Sequence, residues 1–391
     1  MDTATPRVLL ASNFNSWREP FNSQSFEFFD VIETVEHADV LAPPGRDYME
    51  GWKARPSPHF LAADLTFRLA SAVTTFAGLP RIPSIKPTPV TKDYEFFFYM
   101  CQFPNDLANL RNLKRWRKRS KKAAVFILES WSSLFHTTRG ELGLLDDFDH
   151  VFVLNKSSVP KIAAYTTTPC TFLATAADCL QASPFPASPR RDVDVYSMGR
   201  RPPVIHDQLL RQMQDEGRFY VYDVWKHGIV PDWRSSRLLT MNLIKRSKFF
   251  IAYDHTVASG LKIGKAGEER SLSTRYFEGA AGGAVMIGSK PECAEFQEYF
   301  DWDDAVIDMP LDVDDIGQFL RTLERDPERL DRISMTNAIQ SLRRHDWAHR
   351  WAQVLETVVL QATDRLQHRL DRLDRTADAA QSPRLTLAAT A

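Results

Sequence analysis

Short apolar runs of strand length return along the first part of the chain, at residues 7–11, 40–42, 95–101, 123–128 and 150–154. In Phe96-Phe97-Phe98-Tyr99-Met100 and Val125-Phe126-Ile127-Leu128 the apolar residues occupy successive positions, which predicts strands covered on both faces, as in a parallel sheet. The rhythm lapses between about 174 and 191, where Pro184, Pro186 and Pro189 fall within six residues and predict a stiff extended link. It resumes at 193–198, 219–222, 248–253, 284–287 and 305–307. Between these runs lie amphipathic stretches such as 204–215, with Ile205, Leu209, Leu210 and Met213 on one face. Helices are predicted at 316–324, 327–341 and 345–373. The pattern is that of an α/β protein with two Rossmann-like doubly wound domains facing across a cleft. The expected division is 1–180, 190–345, a helix at 346–375 packing back across the hinge, and a disordered tail at 376–391. In such sheets ligands bind at the carboxyl ends of the strands, so the cleft is the expected site.

Composition narrows the partners. A chain of 391 residues with 43% apolar and 25% charged side chains has room for two cores of ordinary size. A net charge of −1 provides no general attraction to nucleic acid, which is not an expected partner. Cys101, Cys170, Cys179 and Cys293 are scattered without metal-ligand or disulfide spacing. No apolar run suits a signal peptide or a membrane span, and the expected location is the cytoplasm. One local patch stands out at residues 114–122, with seven cations in nine positions following Leu107, Leu110, Leu113 and Trp116. Read as a helix, these four form an apolar stripe ending in cations. That is either a solvated helix end or a patch for anionic lipid headgroups, an acidic glycan or nucleic acid, with Trp116 as interfacial anchor and anionic membrane as the contact expected first.

The densest chemistry lies in 271–288. Ser271, Ser273 and Thr274 are placed to cap a helix whose positive end can hold a diphosphate. Glu278, a turn later, can accept hydrogen bonds from vicinal hydroxyls such as those of a ribose. Gly282-Gly283 then turns the chain into a buried strand. An ordinary helix-to-strand joint uses the same residues. Upstream, Tyr253-Asp254-His255 opens a polar loop containing Lys262 and Lys265, able to neutralise a departing diphosphate. His255 is the histidine best placed for catalysis. Tyr222, at another strand end, is a candidate for nucleobase contact, and Glu129, directly after four apolar residues, is a candidate general base. Asp312-Val-Asp314 falls at a helix start, where acids serve as caps, and no metal or other cofactor is expected.

Ser197-Met-Gly199-Arg200, the segment Arg275-Tyr-Phe-Glu278-Gly-Ala-Ala-Gly282-Gly283 and the ending Arg343-Arg-His345-Asp-Trp-Ala-His-Arg350 together resemble the C-terminal half of GT-B glycosyltransferases, most closely the bacterial subgroup similar to CgeB proteins. The resemblance spans roughly 190–357. It implies a nucleoside-diphosphate-sugar donor in the second domain, with Gly199 and Arg200 at the phosphates, Ser273 and Thr274 beneath them and Glu278 at the ribose. The acceptor, a glycan or a lipid-linked or other molecule, would lie in the first domain. Many retaining members place an acid eight positions before the second one; here that position is Arg270, and the stereochemistry stays open. The leading reading is a metal-independent glycosyltransferase. A nucleotide-sugar 2-epimerase and an inactive binding protein of the same fold are the alternatives.

Overall fold

The computed structural model describes residues 6–16, 18–45, 58–199, 201–223, 229–254 and 269–381. Its first sheet is built from β1 (Val8–Ser12), β2 (Ala38–Leu41), β3 (Tyr94–Cys101), β4 (Ser120–Ile127), β5 (His150–Val153) and β6 (Cys170–Phe172), all parallel, in the order β2-β1-β3-β4-β5-β6. The second holds β7 (Val193–Ser197), β8 (Tyr220–Tyr222), β9 (Ser247–Ala252), β10 (Val285–Gly288) and β11 (Ile307–Asp308), also parallel, in the order β8-β7-β9-β10-β11. Each sheet reverses its winding beside its first strand, and that switch opens a crevice at the carboxyl ends. Of the strands in these two sheets only the edge strand β6, Cys170-Thr-Phe172, lies outside the apolar runs.

The continuous apolar run of β3 serves two cores at once. Phe96, Phe98 and Met100 face a core shared with the helices that join the domains, whereas Phe97, Tyr99 and Cys101 face the opposite layer. That opposite layer corrects the helix expected through residues 107–116. Leu107, Leu110, Leu113 and Trp116 recur every three residues, the period of a 3-10 turn rather than an α-helix. Pro104–Asn112 coils accordingly, Leu113–Lys114 pairs as a short strand with Thr88–Pro89, and β4 begins inside the basic run. Trp116 is no interfacial anchor: it is buried, with ring centroids 4.6 Å from Phe97 and 4.9 Å from Phe148. Several of the cations are engaged as well. Arg117 pairs with Asp149, Arg119 with Asp93, and the Lys122 ammonium donates to the Val358 and Val359 carbonyls.

The longer helices are α1 (Ser23–Val35), α2 (Pro58–Phe76), α3 (Pro203–Asp215), α4 (Trp233–Lys245), α5 (Thr274–Ala281), α6 (Ile316–Glu324), α7 (Pro327–Arg344), α8 (Trp347–Thr357) and α9 (Asp364–Gln381). The single helix expected at 345–373 is thus two. Thr363 separates them: its hydroxyl donates to the Val35 carbonyl and accepts from the Leu366 N–H. Residues 376–381, expected in the tail, are instead the end of α9, which keeps an apolar seam of Leu366, Leu373 and Ala377 buried. Residues 382–391 lie outside the described residues.

Helix α8 packs on the first domain, Trp347 stacking on Phe28 at 4.5 Å and Trp351 meeting Phe98 edge-on at 5.6 Å. The His345-Asp346 pair ties it to the interdomain link. Asp346 accepts from the Cys179 and Ala348 N–H groups and from Arg369, while the His345 carbonyl accepts from Ala177. Burial holds the His345 imidazole neutral, well below its ordinary range. The Arg343–Arg350 motif thus anchors the start of α8 to the interdomain link.

Gly288 ends β10 with φ +149°, and a Cβ there would lie 2.0 Å from the Ala252 carbonyl oxygen. Both partners are backbone in adjacent strands, so neither yields. Gly288→Ala should lower stability by roughly 1–3 kcal/mol. A urea midpoint equal to that of the parent would contradict this packing.

Candidate active site

Helix α5 enters β10, and because it runs antiparallel to the strands its amino end lies at the carboxyl edge of the second sheet. There it meets the first domain. The Thr274 hydroxyl shares a 3.0 Å hydrogen bond with Thr175, whose own hydroxyl reaches the Gln24 side chain at the start of α1. Ser273 occupies the N-cap position in extended conformation (φ −76°, ψ 155°) without forming a side-chain cap bond, and its Oγ is buried with no partner. An uncapped first turn leaves backbone N–H groups to bind something else.

Gly199 follows β7 with φ +71°, a conformation glycine adopts without strain. Its N–H donates to Asp223 (2.8 Å), and a Cβ at this position would lie 3.5 Å from the Arg275 guanidinium. Arg275 therefore reaches from the first turn of α5 over the end of β7. Arg201 closes the same corner, donating to the Asp223 carbonyl (2.6 Å) and the Gly199 carbonyl (3.3 Å) with its guanidinium 5.2 Å from the Tyr222 ring centroid. Asp254, after β9, is buried at the switch point. Arg200, His255 and Lys262 lie outside the described residues.

Glu278 is only 2% exposed, and its carboxylate is 2.6 Å from the Arg237 guanidinium of α4. Arg237 also donates twice to Glu27 of α1, at 3.0 Å each, and Glu27 accepts from the Trp347 indole at 2.9 Å. The acid that the sequence offers to a ribose is thus part of a buried Glu27–Arg237–Glu278 triad bridging the domains. Burial first, then the Glu278 charge against the pull of Arg237, pushes Glu27 up to about 7.

Across the cleft, Glu129 follows β4 as expected and accepts from Gln102 (2.8 Å) and from the Trp131 indole (3.1 Å). Around it the carboxyl ends of β1, β3, β4 and β5 present Asn13, Gln102, Ser130 and Asn155, all buried and each with a side-chain atom lacking a partner. Such orphaned groups are costly and concentrate where function requires them. Asp106, beneath Asn13, is pushed up to about 6 by burial, against hydrogen bonds from the Phe103 backbone and the Asn13 side chain.

The domains meet over a cleft of ≈ 710 Å³ lined by Ser132, Lys156 and Lys161 on one side and by Glu269, Arg270 and Glu295 on the other. Glu269 accepts from the Ser132 N–H (2.7 Å), the Ser132 hydroxyl (2.6 Å) and Lys161 (2.5 Å). Burial would raise it, yet these donors more than offset that and hold it below the usual carboxylate range. Glu295 accepts from the Lys156 N–H at 3.0 Å.

The structure gathers Gly199, Tyr222, Ser273, Thr274 and Glu278 at one end of the second sheet and sets Glu129 at the facing end of the first. Sequence reasoning missed Arg275, Arg237 and Glu27 as members of the site. A signal for Arg275 was present, since a cation in the first turn of a helix opposes the macrodipole unless an anion joins it there. Among the described residues no three His, Cys, Asp or Glu side chains gather in a way that could hold a metal ion.

Residues 200–356 match the family described as glycosyl transferase-like. No curated protein matches the chain. Among solved structures, an alpha-glucosyltransferase in complex with UDP aligns at TM-score 0.53 and 10% identity over 91% of this chain and 100% of that one. The alpha-glucosyltransferase in complex with UDP-glucose and DNA containing an abasic site aligns at TM-score 0.52 and 11% identity, with the same shares covered. Of TarM the chain spans about half, 54%, at TM-score 0.42 and 8% identity. The architecture is the GT-B fold, two Rossmann-like domains facing across a cleft. With the glycosyl transferase-like match over the second domain, the class of protein this defines is a glycosyltransferase.

Proposed function

We propose that the protein transfers a sugar from a nucleoside-diphosphate donor to a glycan or lipid-linked acceptor, without a metal ion, and that its kinship lies with the CgeB-like subgroup whose segments it resembles. The observation that carries this reading is the Arg275 guanidinium lying against Gly199 at the uncapped start of α5. A diphosphate placed there receives helix N–H groups and a bidentate cation together, and both strengthen as the leaving group gains charge. A fixed cation and a helix end supply what a metal would otherwise provide. Glu278 is shared between Arg237 and the donor ribose, Tyr222 lies toward the base, and Arg200 and Lys262 are the further cations that the sequence offers to the phosphates. On the acceptor side, the neutral amides and hydroxyls of Asn13, Gln102, Ser130 and Asn155 suit a hydroxylated acceptor, with Glu129 as its base and His255 as a second candidate. UDP is the first nucleotide to test, because the like-folded alpha-glucosyltransferase structures hold UDP or UDP-glucose.

Calorimetry with UDP, GDP and TDP should find one nucleotide that binds. Arg275→Gln should weaken that nucleotide by about 1.5–3 kcal/mol, which is roughly ten- to a hundredfold in Kd. Equal affinity in parent and variant would remove Arg275 from the phosphate site. Screening the matching nucleotide sugars should release nucleoside diphosphate; ring inversion without release would instead indicate an epimerase.

A further inference from the structure

Helix α2 faces the wrong way for a helix of a folded domain. Leu65, Leu69, Val73 and Phe76, spaced three or four apart and therefore on one face, are 58%, 58%, 68% and 91% exposed, and Leu79 just beyond the helix is 57% exposed. The opposite face carries Phe67 beside small or polar residues such as Ala70, Ser71 and Thr74, all half-buried. Single exposed apolar residues need no explanation, but an ordered stripe of large ones does.

The carboxyl end of this stripe carries a collar of cations. Arg111 donates to the Pro80 and Arg81 carbonyls, Lys114 donates to the Arg111 carbonyl, and Arg139 lies directly against Gly78. All three are exposed, and among the described residues none pairs with an acid. A stripe of apolar side chains flanked by unpaired cations complements a surface that is apolar within and negative at its rim.

We propose that the outward face of α2, with Arg111, Lys114 and Arg139, docks the protein onto an anionic lipid bilayer. The apolar side chains enter the headgroup–acyl boundary while the cations meet the lipid phosphates. A second copy of the chain fits less well, since one convex helix offers too little area against the ~800 Å² per partner that a stable dimer buries. The membrane contact that the sequence suggested at 114–122 is thereby moved: Lys114 stays in it, Trp116 leaves it, and the apolar anchor comes from α2. The proposal is independent of the transfer reaction.

The test is flotation of the full chain with vesicles of phosphatidylcholine plus phosphatidylglycerol, and with pure phosphatidylcholine vesicles. Association is expected only with the anionic vesicles and should weaken with salt. Leu69→Glu combined with Phe76→Glu should lower it tenfold or more by order of magnitude. Arg111→Gln, Lys114→Gln and Arg139→Gln together should lower it and flatten its salt dependence. Because the stripe faces solvent, the melting temperature should not move; Leu69→Ser with Val73→Ser serves if it does. A parent protein that stays unbound at low salt overturns the proposal, as does a stripe variant that floats like the parent. A concentration-dependent dimer dissolved by the same substitutions would assign the face to a second copy, and so also overturns it.

Discussion

Replacing Arg237 with leucine should destabilise the protein by about 3–5 kcal/mol and loosen the first domain from the second. The guanidinium is almost wholly buried between Glu27 of α1 and Glu278 of α5, and its loss leaves two carboxylates facing one another without water. Removing one partner of a buried ionic group is costly because the remaining charge stays desolvated. The same logic predicts the rescue. Adding Glu27→Gln and Glu278→Gln to Arg237→Leu removes the uncompensated charges and should recover most of the loss, a non-additivity that independent sites would not show. The measurement is the urea midpoint of the single and triple variants. A single variant within about 1 kcal/mol of the parent, on the scale of an ordinary surface change, would mean that the triad does not hold the domains together. The effect should reach the donor site as well. Glu278 lies one turn below the start of α5, so nucleotide affinity should fall with stability in the single variant.

Most of the frame was legible because strands buried on both faces leave uninterrupted apolar runs, as β3 and β4 do, and two series of such runs parted by Pro184, Pro186 and Pro189 imply two sheets. The recess at α5 was legible for a local reason, since a polar cap, an acid and a glycine stop all lie within a dozen residues. What was lost depends on partners far apart in sequence. Glu278 alone reads as a ribose ligand; only folding places Arg237 between it and Glu27. Residues 107–116 misled because a spacing of three was taken for helical periodicity, although it marks a 3-10 turn whose Trp116 packs under β3. The cations after it then looked free, whereas Arg117, Arg119 and Lys122 had acids or carbonyls waiting on neighbouring elements. Helix α2 did not fit the scheme at all, because an apolar stripe is normally evidence of an inward face, and here it points out.

The Glu27 contribution to stability should decline as pH rises from about 4.5 to about 7. Its carboxyl is pushed up to about 7 in the folded protein, by burial first and by the charge of Glu278 among the remaining causes, against 4.5 as its ordinary value. Between those values the native state holds a proton that the unfolded chain has released, so each increment of pH favours unfolding. Below 4.5 both states are protonated and nothing is lost; above 7 both are ionised and the full cost, on the order of 3 kcal/mol, has been incurred. Asp106, pushed up to about 6, contributes with the same sign, and His345, held well below its ordinary range by burial, with the opposite sign, so the parent curve alone does not isolate the triad. The difference between parent and Glu27→Gln does. The glutamine keeps the shape, leaves Arg237 with Glu278, and should remove the Glu27 share of the slope across this window. Glu278→Gln tests the cause from the other side: without that neighbouring charge Glu27 ionises more readily, and the decline should move to lower pH. Chemical denaturation across the window provides all three curves. A Glu27→Gln curve parallel to the parent's would show that Glu27 is already ionised at low pH, with Arg237 sharing two negative partners throughout.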